Sequence, residues 1–338
     1  MLFRSGALGL STGLEYDPGI YSERAEVLAL AQVAAAAGGR YISHIRSEDR
    51  RFWEAIDELL TIGRETQLPV QVSHMKLAMT SLWGQSGRLL ALLDQARADG
   101  IDVTADVYPY TYWQSTLQVL FPERDFEDRA EAEKVLREIA RPDGLLLGDF
   151  APEPSYAGKT VAEIAELRHE DPASTLMGLI RESIAWTKAH PEIDEVESVV
   201  GTSMTEDDVA ALLAWEHSNV CSDGALDGAH PRGFGAFPRV LGRLMRQRGT
   251  FSLETAVAKM SRLAAEHVGL EGRGTIAPGC YADLVLLDPA TVSDEATVAE
   301  PHRVAAGVVR VWVNGVTVWH HGAVTGSRPG RVLRRPAP

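Results

Sequence analysis

The chain has 338 residues, 45% of them hydrophobic, and a net charge of −14 from 33 basic and 47 acidic residues. That length suits one barrel-sized domain plus a smaller unit, and the acidic balance argues against a polyanion such as nucleic acid held on a broad basic face. No apolar run approaches the roughly 18–20 residues of a membrane span, and two cysteines, Cys221 and Cys280, make no disulfide framework, so the expected setting is a reducing cytoplasm without a membrane partner.

The opening Met1-Leu2-Phe3-Arg4-Ser5-Gly6 is too short in apolar residues for a signal peptide. Ala7 to Ser11 reads as a short buried strand leading into a loop marked by Gly13, Pro18 and Gly19. A helix from about Ser22 to Ala37 stops at Gly38-Gly39, and Tyr41 to His44 is the next strand. From Phe52 to Thr66, Ile56, Leu59, Leu60 and Ile62 fall mostly on one helical face. Pro69 to Ser73 is a strand, Leu89 to Ala98 a helix and Ile101 to Val107 a strand. The alternation implies parallel strands joined by helices.

From Phe121 to about Glu197 the chain is charged and shows no strand as clear as the earlier ones. This stretch is expected as an irregular insert or lid above the domain. Order returns with a helix near Thr205 to Glu216 and a strand at Asn219-Val220-Cys221-Ser222. Helices follow from about Phe237 to Gln247 and from Leu253 to Leu270. The tail from residue 273 is β-rich, and Asn314-Gly315 between valines signals a two-residue hairpin.

Two segments nearly copy each other, Ile42-Ser43-His44-Ile45-Arg46 and Val72-Ser73-His74-Met75-Lys76, with their histidines thirty residues apart. A (β/α)₈ barrel spends about 31 residues on each strand–helix unit and keeps its chemistry at the C-terminal ends of the strands. The spacing therefore places His44 and His74 on adjacent barrel strands, with Asp106 one unit further on. Three loaded strand ends suggest a metal or acid–base site.

Further motifs in order are Gly9-Leu10-Ser11-Thr12-Gly13, Asp106-Val107-Tyr108-Pro109-Tyr110 with Ser115-Thr116, Ser222-Asp223-Gly224, His230-Pro231-Arg232 and Lys259-Met260-Ser261. Together with the Ser-His pair and the closing 279–288 segment, they make the chain resemble the C-terminal two-thirds of an N-acyl-D-amino-acid deacylase (D-aminoacylase) of the amidohydrolase superfamily. The resemblance implies a (β/α)₈ TIM-like metal-dependent hydrolase barrel over 1–272, lacking its early strands, and a small β unit over 273–338. It implies zinc-dependent hydrolysis of the amide of an N-acyl-D-amino acid. His44 and His74 match two zinc ligands, and Asp223 matches the aspartate that carries the water's proton to the leaving amine. The family's His-x-His pair and ligating cysteine have no counterpart here, so a missing N-terminal segment is expected. The alternatives are a catalytically incompetent partial barrel and a hydantoinase- or dihydroorotase-like cyclic amidase.

Plainer roles compete for each residue. Either histidine alone could be a core imidazole bonded to a carbonyl, but their repeated context favours ligation. Asp223 could be a turn residue before Gly224, and Arg232 a surface ion pair, although its planar fork suits a substrate carboxylate. Lys76 and Arg46 are equally salt-bridge and substrate-binding candidates. Tyr108, Tyr110 and Ser115 line the pocket or pack the core. Asp106 braces a ligating histidine or bonds a loop. Cys221 is expected as a packed thiol facing away from Asp223, and Cys280 has no expected chemical role.

Overall fold

The alternation read from residues 10 to 107 appears as a parallel sheet flanked by helices. The computed structural model describes residues 6–193 and 195–334, so the Met1 to Ser5 stretch lies outside the described residues. In order come β1 (Leu10–Gly13), α1 (Arg24–Ala36), β2 (Tyr41–His44), α2 (Phe52–Thr66), β3 (Val70–Val72), α3 (Ser86–Ala98) and β4 (Val103–Val107). Ser43 pairs with Thr12 on one side and with Val72 on the other, and Val72 pairs with Ala105. Every residue of β3 is buried, as a parallel strand covered on both faces requires. Ile56, Leu59, Leu60 and Ile62 of α2 are buried, and the helix stops where Gln67 turns left-handed.

The chain then leaves the barrel through β5 (Tyr112–Ser115), α4 (Arg129–Glu138), β6 (Leu145–Phe150), α5 (Val161–Arg168), α6 (Pro172–Ala189) and β7 (Glu197–Thr202). The stretch read as irregular thus builds an antiparallel sheet in the order β5-β7-β6. Strand β6 escapes sequence reading because three leucines run straight into Gly148-Asp149 without alternation. Its register shifts between Leu147 and Asp149, where a Cβ on Gly148 would fall 2.4 Å from the Ala229 Cβ. Two local signals start the helices: a Thr160–Glu163 capping box for α5 and an Asp171 cap followed by Pro172 for α6. Leu136, Leu147, Phe150, Leu176, Leu179 and Val199 form a hydrophobic core of their own here.

After α7 (Glu206–Ala214), β8 (Ser218–Val220) returns to pair with β4, Asp106 beside Asn219. The parallel sheet reads β1-β2-β3-β4-β8, a partial barrel. Next, α8 (Arg232–Arg239) begins five residues before the expected helix and passes into a π-helical stretch, Val240–Gln247. The single helix expected over 253–270 is two, α9 (Leu253–Met260) and α10 (Arg262–Val268), broken at Ser261. Lys259, 1% exposed, donates to the Ser218 carbonyl at 2.9 Å and braces the start of β8.

The tail forms β9 (Leu284–Leu287), β10 (Val308–Val313), β11 (Val316–His320) and β12 (Ala323–Val324), an antiparallel sheet in the order β12-β11-β10-β9. Asn314 and Gly315 both have positive φ, 47° and 80°, as a type I′ turn demands. Between β9 and β10, Val292 joins the core packed around the parallel sheet.

Candidate metal and hydrolytic site

His44 closes β2, and His74 lies two residues past β3. The Ser73 N–H donates to the Ser43 carbonyl at 2.9 Å, so the two strands stay in step up to their ends. His74 adopts a left-handed backbone with φ of 37°. Its N–H donates to Asp106 Oδ1 at 2.6 Å, while Asp106 Oδ2 accepts from the Gln71 amide. Asp106 therefore bonds the backbone of the turn that carries His74 and touches neither imidazole nitrogen.

The imidazoles meet with His44 Nδ1 and His74 Nε2 3.0 Å apart. Each outer nitrogen faces a carboxylate: His44 Nε2 lies 2.9 Å from Glu15 Oε2, and His74 Nδ1 lies 3.0 Å from Glu48 Oε1. Glu15 on the outer N–H of His44 leaves its Nδ1 as a lone pair, whereas His74 Nδ1 faces Glu48 and accepts from the Lys76 ammonium at 2.7 Å. Two nitrogens on a tetrahedral zinc, each bound at about 2.0–2.1 Å, sit roughly 3.3 Å apart, so the pair fits such an ion. Glu48 is the third candidate donor, with all three ligand atoms within 4.8 Å of one another. Its Oε1, however, also accepts from Lys76 Nζ at 2.6 Å. Burial would raise the Glu48 pKa, but Lys76, His44 and His74 outweigh burial and hold it well below the usual carboxylate range. Burial likewise opposes a proton on His44, and Glu48 and Glu15 overcome that to raise its pKa.

Asp223 follows β8 in a left-handed turn, φ 48°, and its Oδ2 accepts from Arg232 Nη1 at 2.7 Å. The Arg232 guanidinium lies 4.8 Å from the Tyr108 ring centre, and its buried Nε has no partner among the described residues. His230 holds this corner: Nδ1 accepts the Arg232 backbone N–H at 3.0 Å, and Nε2 donates to the Tyr112 carbonyl at 2.9 Å. Burial first, then Arg232, push the His230 pKa down to about 3, so the ring is neutral. Across the cavity, Ser115 Oγ lies 3.3 Å from the Tyr16 hydroxyl, and the Tyr16 ring lies 4.6 Å from that of His44.

The residues singled out from the sequence, His44, His74, Lys76, Tyr108, Ser115, Asp223 and Arg232, all line one cavity of about 230 Å³. Its other end is apolar, with Trp113, Leu120 and Ile139. Two readings change. Lys76 is 3% exposed and its ammonium is committed to Glu48 and His74. Cys221 lies past the end of β8, so strand alternation does not set its direction, and it packs against Tyr108, Tyr110 and Ala236. Burial pushes that thiol's pKa far up, and Asp106 and Asp223 add to the effect. Arg46 is a structural partner, bidentate to Glu58. Sequence reasoning passed over Glu15, Tyr16 and Glu48. Glu48 sits four residues after His44, a weak signal, whereas Glu15 reaches the site only through the β1–β2 register.

Two histidines and an aspartate thus gather just beyond the C-terminal ends of the parallel strands of a partial barrel. Residues 158–319 match the amidohydrolase family. Over 335 residues, 98% of its length, the chain is 38% identical to N-acyl-D-glutamate deacylase and 36% identical to D-aminoacylase, both of Alcaligenes xylosoxydans xylosoxydans. It also matches the crystal structure of N-acyl-D-glutamate deacylase from Bordetella bronchiseptica, complexed with zinc and a phosphonate mimic of the tetrahedral intermediate. That match has a TM-score of 0.83 at 36% identity and covers 97% of this chain and 63% of the other. The chain spans 62% of the length of the two curated relatives. It is similar to the amidohydrolase family over residues 158–319 and, over nearly its whole length, to N-acyl-D-amino-acid deacylases.

Proposed function

We propose that this site serves a zinc-dependent hydrolase that splits N-acyl-D-amino acids into a carboxylate and a D-amino acid. The observation that carries this reading is the pair of imidazole nitrogens 3.0 Å apart, with Glu15 behind His44 and the Lys76–Glu48 pair behind His74. His44 Nδ1 and His74 Nε2 are the atoms that would hold the ion, and similarity to a deacylase complexed with zinc supports the choice of metal. The chemistry zinc supplies in such a place is polarisation of the scissile carbonyl and acidification of water. Asp223 accepts the proton of the attacking water and delivers it to the leaving amine nitrogen, so that the amine departs neutral. Arg232 orients the Asp223 carboxylate and offers its idle Nε to the substrate's α-carboxylate. Tyr108 lies under that guanidinium, and Ser115 lines the opposite wall. Lys76 holds Glu48 and His74 in place rather than reaching the substrate.

No described helix is long and apolar enough to cross a membrane. Both cysteines are free thiols, which supports a cytoplasmic setting.

A second reading, a partial barrel without turnover, is favoured by the donor count. Two nitrogens and a carboxylate already committed to Lys76 leave a tetrahedral ion short of ligands among the described residues. Elemental analysis of the purified 338-residue polypeptide, combined with hydrolysis assays, decides between the two. Near-stoichiometric zinc with turnover of N-acetyl-D-amino acids supports the deacylase. Weak zinc and no turnover support the inert barrel. Equal rates on N-acetyl-L-amino acids or on cyclic ureides would sink the D-specific assignment.

A further inference from the structure

A second cavity of about 420 Å³ opens beside the site and shares Tyr16, Gln114, Ser115, Asp223 and Arg232 with it. The excursion supplies its far wall, with Ser183 and Thr187 on α6 and Glu197 at the start of β7. Glu197 is only 5% exposed. Its Oε1 accepts the Leu117 N–H at 2.8 Å, while Oε2 is buried without a partner among the described residues. Burial raises its pKa to about 7, with the Leu117 hydrogen bond pulling the other way.

A carboxyl enclosed in this way, with half its accepting capacity idle, gains from any donor or cation brought to it. No described residue of the wall donates to Oε2. Arg232 is the one cation among the described residues lining this cavity, and Asp223 already holds it. A second carboxylate, Glu195, also lines the space. The lining therefore gathers two glutamates, hydroxyls and amides around a space next to the reacting centre.

We infer that this cavity is a substrate subsite for a basic group, a terminal amine or guanidinium, held by Glu197. The inference rests on the deacylase reading and deepens it. The amine or guanidinium is carried either by the D-amino-acid side chain or by the acyl chain, and its charge replaces the counter-ion that Glu197 lacks. A second anion, such as the side chain of N-acyl-D-glutamate, meets two carboxylates there instead.

The test is calorimetric titration of the 338-residue protein with four ligands. These are N-acetyl-D-arginine, N-(5-aminopentanoyl)-D-alanine, N-acetyl-D-norleucine and N-acetyl-D-glutamate. At least one basic ligand is expected to bind tenfold or more tighter than N-acetyl-D-norleucine, with N-acetyl-D-glutamate weakest. Whether the arginine or the aminopentanoyl compound shows the gain tells which arm of the substrate enters. Glu197→Gln is expected to erase the gain while N-acetyl-D-norleucine binds within twofold of wild type. Equal affinity for basic, neutral and acidic ligands overturns the subsite, as does a preference that survives Glu197→Gln. Failure of all four to bind overturns the deacylase reading itself and the subsite with it.

Discussion

Glu197 makes the fold pH-sensitive in a direction opposite to most carboxylates. Its folded pKa is about 7 against an ordinary 4.5. Below the unfolded value both states hold the proton and nothing changes. Between the two values the unfolded chain sheds its proton while the folded one keeps it, so stability falls as pH rises, and the penalty levels off above 7. The full shift corresponds to about 3 kcal/mol. Glu197→Gln should melt near the wild-type temperature at pH 4.5 and several degrees above it at pH 8, read by thermal denaturation. A gap that does not change with pH would refute this. Glu15 acts at the same scale but on the proposed zinc site. As the carboxylate behind His44 Nε2, its replacement by Gln should weaken zinc binding by about 10–100-fold in a chelator competition, with the melting temperature little changed.

At the scale of elements, strand ends and turns decide what reaches the site. His230 sits ahead of α8 and ties the Arg232 backbone to the Tyr112 carbonyl through its two ring nitrogens. His230→Ala leaves a buried N–H and a carbonyl unpaired, which should cost about 2–4 kcal/mol in urea denaturation. Because burial depresses its pKa to about 3, the ring contributes stability above the ordinary histidine pKa of 6.5, and that contribution is lost as pH falls towards 3. The elements that sequence reading found share one property: their signals are local. The Ser-His repeat, the 3.6-residue period of α2 and the Asn314-Gly315 turn all show within a few residues. Strand β6 did not, because a bulge at Gly148 breaks the alternation that marks a strand. Glu15 did not, because only the pairing of Gly13 with His44 brings the loop after β1 beside the histidine. Residues that enter a site by register or by loop return leave no spacing behind in the chain.

At the scale of the molecule, two cores lie side by side. One packs the parallel sheet and its helices, and the other packs the excursion between β4 and β8. Leu176, fully buried in the second core, tests their independence. Leu176→Ala should lower stability by about 2–5 kcal/mol and loosen binding of bulky substrates, while zinc affinity stays at the wild-type value. Loss of zinc affinity in step with stability would show that the cores act as one. The cavity wall with Trp113, Leu120, Ile139 and Glu197 belongs largely to the excursion, whereas His44, His74 and Asp223 belong to the barrel. Residues in separate cores change nearly additively. The excursion's wall can therefore change to suit another substrate while the His44–His74 pair, Glu15, Glu48 and Asp223 stay as they are. An engineer grafting a different excursion between β4 and β8 would be following the same seam.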